Sequence, residues 1–169
     1  LENFFSIRKD SAVLFQGLGI MNASALCQKW MNQCPTIFLS FKDVDGLTFD
    51  SAYGMLEATI AELFRKYTDL LDSENVNDYD KAGTTGIKKS LSLLMRMLSD
   101  HYGKQVVLLL DEYDVPVAKA SNHHYYQEML EVVKAMMSTA LKDNNALQFA
   151  IITGCLKIAK ESIFTGTNN

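Results

Sequence analysis

The sequence has no apolar run approaching the roughly 20 residues that a bilayer-crossing helix needs. Its first residues also lack the charged-then-apolar pattern of a secretory signal. Cysteine is scarce: Cys27, Cys34 and Cys155 are an odd set with no C-x-x-C pair and no histidines at ligand spacing. That excludes a disulfide framework and a zinc-finger pattern, and it points to reduced thiols in a cytoplasmic protein. Positive charge is in deficit, with 16 Lys and Arg against 20 Asp and Glu and a formal net charge of −4. No global basic field exists to draw nucleic acid nonspecifically to the whole surface. Internal repeats and low-complexity tracts are absent as well.

What remains is the composition of one globular domain, 169 residues long, 48% apolar and 21% charged. Three short apolar runs read as parallel core strands, buried on both faces: Thr36 to Phe41, Val106 to Leu110, and Phe149 to Ile152. Between the first two, Phe49, Tyr53, Leu56, Ile60, Leu63, Phe64, Tyr67 and Leu71 recur at helical steps, with Thr48 or Asp50 as candidate caps. Ile87, Leu91, Leu94 and Leu98 predict a second helix ended near Gly103. A third stripe runs through Tyr126, Met129, Leu130, Val133, Met137 and Leu141. Strand, helices, strand, helix, strand predicts an α/β domain of three layers with a mostly parallel sheet. Asp72 to Lys81 is the one extended polar stretch and reads as a solvated loop.

The segment VVLLLDEYDVP is the most informative. Five apolar residues deliver Asp111 and Glu112 together at the carboxyl end of a buried strand, where open α/β sheets bind ligands. Apolar run followed by Asp-Glu is the Walker B pattern of P-loop ATPases with an additional strand. In that chemistry an acid anchors hydrated Mg²⁺, the role suited to Asp111. A neighbouring carboxylate orients and deprotonates the attacking water, the role suited to Glu112. A solvated turn closing a strand would look the same. Asp114 offers a third oxygen for a metal or, with Pro116 nearby, a turn-forming side chain.

The stretch VVLLLDEYDVPVAKA, followed by QFAIITGCLKIAKESIFTGTNN, resembles the predicted AAA-ATPase-like family of bacterial proteins. The matching residues after the third strand are Thr153, Gly154, Lys160, Glu161, Ser162, Ile163, Phe164, Thr165, Gly166, Asn168 and Asn169. The resemblance spans nearly the whole chain and implies a partial P-loop NTPase-type domain over 1–169, using ATP and Mg²⁺. It implies a phosphate-binding loop of FGKS or FGKT type ahead of LENFFSI, upstream of Leu1. Both ends read as cut from a longer chain, and the piece alone is expected to be inactive. In the implied strand order Thr153 stands beside Asp111 and Glu112, where its hydroxyl holds water, senses the terminal phosphate, or makes a strand-end turn bond. The family pattern has arginine where Lys157 stands. Lysine keeps the phosphate-facing charge without the forked geometry. The third strand should present an unpaired edge, and the piece is expected to dimerise or aggregate through it.

Other motifs carry less. GTTGIKKS, from Gly83 to Ser90, imitates a phosphate loop, yet only two residues separate its glycines, and a helix start is the simpler reading. His123 and His124 are adjacent near a helix start, so their side chains diverge and read as exposed helix histidines. Asp72, Glu74, Asp78 and Asp80 lack EF-hand order. Two functions of other classes remain open: a metal-dependent nuclease-associated module using Asp111, Glu112 and Asp114, and a noncatalytic interaction domain.

Overall fold

A computed structural model of the chain describes residues 1–69 and 84–155. The polar stretch with its four acids, Leu71, Lys157 and the motif from Lys160 onward lie outside the described residues. The sheet has three strands, β1 (Thr36–Ser40), β2 (Val106–Asp111) and β3 (Leu147–Ile152), all parallel and ordered β1-β2-β3. Parallel neighbours require crossovers. Those between β1 and β2 include α3 (Phe49–Arg65) and α4 (Thr84–Tyr102), and those between β2 and β3 are α5 (Val115–Ser121) and α6 (Tyr126–Leu141). Ahead of β1 lie α1 (Glu2–Phe5), two short 3-10 turns, and α2 (Ser24–Trp30).

Strand alternation sorts the side chains onto two faces. Ile37, Leu39, Val106, Leu108 and Leu110 enter the large core with Leu56, Ile60, Leu91, Leu94, Met129, Val133 and Met137 from the long helices. Phe38, Val107, Leu109, Phe149 and Ile151 meet Phe5 and Trp30 on the other face. Helices therefore flank both faces of an α/β sheet, one layer thick and the other thin. Trp30 packs edge-on against Phe5 and Phe149, 6.3 and 5.5 Å between ring centres, so it is a packing residue.

Local signals set several of the helix ends. The Thr48 hydroxyl accepts the Ser51 N–H at the start of α3, which makes it the cap in preference to Asp50. Gly103 takes φ 61° after α4, the left-handed turn that glycine makes without a Cβ clash. The α3 helix stops at Arg65, earlier than its stripe suggested, because Tyr67 turns back to donate its hydroxyl to Thr36 O at 2.8 Å. That bond covers one carbonyl on the outer edge of β1.

Three expectations change. β3 is half-exposed along most of its length instead of buried on both faces, since it is an edge strand under a thin layer. Among the described residues no strand pairs with its outer side. The Val115–Ser121 segment is a helix with Pro116 in its first turn, where a missing N–H costs nothing. His123 and His124 are exposed but sit in the turn before α6, with His124 at φ 64°. No described helix is long and apolar enough to cross a membrane.

Candidate functional site

β2 is the central strand, and its burial fixes what its tip can present. Val106 to Leu110 are all buried, so the first position able to hold a charge in contact with water is Asp111, which is partly exposed. Odd-numbered residues of β2 point to the thin-layer face with Val107 and Leu109, and Asp111 continues that alternation. It lines a cleft of about 320 Å³ with Leu1, Glu2, Asn3, Phe38, Leu109, Ile151 and Thr153. Three other clefts are larger, at about 420, 530 and 570 Å³. None of these is lined by a strand-tip carboxylate, and size alone does not choose a site.

Thr153 reaches Asp111 through strand register. Leu110 pairs with Ile152, so the next rung sets Asp111 against Thr153. The Thr153 N–H donates to Leu110 O at 2.9 Å, and Tyr113 N–H donates to Thr153 O at 3.3 Å, continuing the ladder past both strands. The Thr153 hydroxyl donates to Asp111 Oδ1. The other oxygen, Oδ2, receives no hydrogen bond from the described residues. On the other side Ser40 pairs with Asp111, giving a polar row Ser40–Asp111–Thr153 across three strand tips.

Glu112 follows with φ 54°, a left-handed backbone that costs a non-glycine residue about 1–2 kcal/mol. It adjoins Asp111 and is partly exposed, but it is not among the residues lining the cleft. The chain then turns, with Val115 N–H donating to Glu112 O at 3.1 Å, and enters α5. Thus Asp111 and Thr153 are brought together, Glu112 stands beside them, and Lys157 lies outside the described residues.

Asp114 does something the sequence left between two readings. It is 2% exposed, and its Oδ2 accepts the Cys155 N–H at 2.8 Å, which ties the turn after β3 to the turn after β2. Gly154 lies under that bridge. A Cβ there would stand 2.6 Å from Asp114 Oδ1 and 2.6 Å from Tyr113 Cε1, so only glycine fits without displacement. Burial, then the Asp114 charge, raise the Tyr113 phenol above its usual pKa and keep it neutral. The Asp-x-x-Asp spacing was visible in the sequence, but nothing local says which carboxylate turns inward.

Other titratable groups do not assemble a centre. Among the described residues no three His, Cys, Asp or Glu side chains converge as metal ligands. Cys34 is buried, and loss of hydration pushes its thiol upward despite Lys104, which leaves it unreactive. Asp45 is bridged by Lys119 at 2.9 Å, a surface pair holding the loop after β1 near α5.

A family model described as Predicted AAA-ATPase matches residues 1–164. A protein of Azotobacter chroococcum mcd 1 described as "Uncharacterized protein in vnfD 5'region" is 33% identical over 78 residues. That stretch covers 45% of this chain, and the chain spans 15% of that relative's length. No solved structure matches.

Proposed function

The chain belongs to the Predicted AAA-ATPase family, and we propose that it supplies the Mg²⁺-anchoring and water-activating carboxylates of an ATP-hydrolysing or ATP-switched protein. The observation that carries this reading is Asp111: an acid at the tip of a fully buried central strand, on a cleft wall, oriented by a threonine hydroxyl from the neighbouring strand. A carboxylate with one oxygen not engaged by the described residues suits Mg²⁺, which retains most of its waters and takes one or two protein acids. The residues therefore fit the ion.

In this proposal Asp111 is the residue that would hold Mg²⁺, and Thr153 fixes the rotation of its carboxylate through Oδ1. When bound, Mg²⁺ would offset the negative charge on the phosphate oxygens. Glu112 accepts the proton of the attacking water, and its backbone turn carries it off the regular strand alternation beside Asp111. Lys157 would contribute charge near the phosphates. The phosphate-binding loop is taken to come from outside residues 1–169, and ATP and Mg²⁺ are ligands of the assembled protein.

The nuclease-associated reading has less behind it. Its third acid, Asp114, is buried and committed to the Cys155 amide, so it is not held open toward a metal shared with Asp111. Replacing Glu112 with glutamine in the full-length protein tests the leading reading. ATP turnover should fall by about 10²-fold or more while ATP binding is kept, as expected when a general base is removed. Turnover at the parental rate would take Glu112 out of the mechanism.

A further inference from the structure

We infer that Asp114 is a positioning residue for the strand-tip site: its buried carboxylate clamps the turn after β3 so that Thr153 holds Asp111 in its working orientation. The inference rests on the ATPase reading above and deepens it. Its geometry is independent of any ligand. The Thr153–Cys155 turn leaves the sheet after the last rung, and besides the Thr153 hydroxyl's bonds to Leu110 O and Asp111 Oδ1, three bonds among the described residues hold it to the β2 side. They are Thr153 N–H to Leu110 O at 2.9 Å, Tyr113 N–H to Thr153 O at 3.3 Å, and Cys155 N–H to Asp114 Oδ2 at 2.8 Å.

The first two bonds come from backbone and would form with any side chains. The third is made by a side chain, and it joins a buried carboxyl oxygen, on a residue 2% exposed, to the amide two residues beyond Thr153. Hydrogen bonds to a charged group with little competing water are the strong ones. Gly154 completes the clamp because any larger residue would wedge Tyr113 and Asp114 away from the turn. Two spatially neighbouring turns, one carrying Glu112 and one carrying Thr153, are thereby fastened to each other through Asp114. Its role is therefore to set angles at Asp111 from a position that does not line the cleft.

The test measures steady-state ATP turnover and ATP affinity of the full-length protein for the parent, D114A, D114N, T153A, the D114A/T153A pair, and E112Q. D114A should lower kcat about 10-fold or more with KM changed less than about 3-fold, since small misplacements cost rate more than binding. D114N can still turn an amide oxygen to the Cys155 N–H and should recover most of that loss. Because Asp114 acts through Thr153, the pair should be no slower than the slower single variant by more than about 2-fold, a non-additive result. Parental kcat in D114A, multiplicative losses in the pair, or no recovery in D114N would overturn the inference. If D114A does not fold, D114E takes its place: it keeps the charge and shifts the acceptor by one methylene. The same loss of kcat at steady KM is expected of it, and parental kcat would overturn the inference. E112Q separates the levels. A dead E112Q with parental D114A sinks the clamp alone, a parental E112Q takes Glu112 out of the mechanism, and a parent with no ATP turnover sinks the ATPase assignment beneath both.

Discussion

Replacing Gly154 with alanine probes the junction of the two turns with the smallest possible addition. The new Cβ would lie 2.6 Å from Asp114 Oδ1, 2.6 Å from Tyr113 Cε1 and 2.9 Å from Tyr113 Cδ1. Ordinary carbon contacts are about 3.5–4.0 Å, so relief requires a shift of about 1 Å. Neither neighbour can swing into solvent, since Tyr113 is 5% and Asp114 2% exposed. Overpacking of this kind costs about 1–3 kcal/mol. If the turn moves instead, the Cys155 bond to Asp114 weakens, and hydrogen bonds to charged groups contribute about 1.5–3 kcal/mol. Alanine also narrows the unfolded ensemble, which offsets about 0.4–1 kcal/mol. The net loss is about 1–2 kcal/mol, or a fall in Tm of about 2–8 °C for a domain of this size. Thermal melts of parent, G154A, Y113A and G154A/Y113A measure it, because removing the ring should relieve part of the clash. A Tm within about 1 °C of the parent, or strictly additive losses in the four-way comparison, would refute the steric argument.

The backbone of Glu112 gives a second prediction: E112G should be more stable than E112A by about 1 kcal/mol, because glycine adopts φ 54° without strain. Urea midpoints compare the two, and equal midpoints would mean that the left-handed turn stores no strain. A third concerns alkali. Burial, the largest cause, and the nearby Glu2 charge push Tyr67 up to about 12, from an unfolded value of 10.0. The unfolded chain loses this proton first, so the contribution is intact below pH 10, and stability falls as pH rises from there through about 12. The total is on the order of 2–3 kcal/mol. Y67F should flatten that share of the alkaline loss while costing about 1 kcal/mol at neutral pH for the lost bond to Thr36 O. An unchanged alkaline slope in Y67F would place the titration elsewhere.

Much of this protein was legible because one-dimensional patterns have direct physical meaning. Uniformly apolar VVLLL reads as a strand covered on both faces, and the acid directly after it stands at the strand's partly exposed tip. The α4 and α6 stripes and the Thr48 cap follow from helical periodicity and unsatisfied N–H groups in the same way. Asp114 was less legible. A carboxylate between a buried tyrosine and a proline turn can face solvent or core, and only the neighbouring Cys155 amide, 41 residues away, settles it.

The sequence by itself determined that the central strand and the helix stripes are buried, where that strand ends, and that two acids emerge there, because each depends on hydrophobicity over a few neighbours. The family resemblance expected Thr153 beside Asp111, but only tertiary structure decided the register that puts it there. Val106 pairs with Leu147 but Val107 with Phe149, so Gln148 is an extra residue that advances β3 by one position. Without that irregularity the rung at Asp111 would carry Ile152, and the alternation of β3 would be reversed. Register is a property of two strands packed against a common core, and no stretch of either strand encodes it alone.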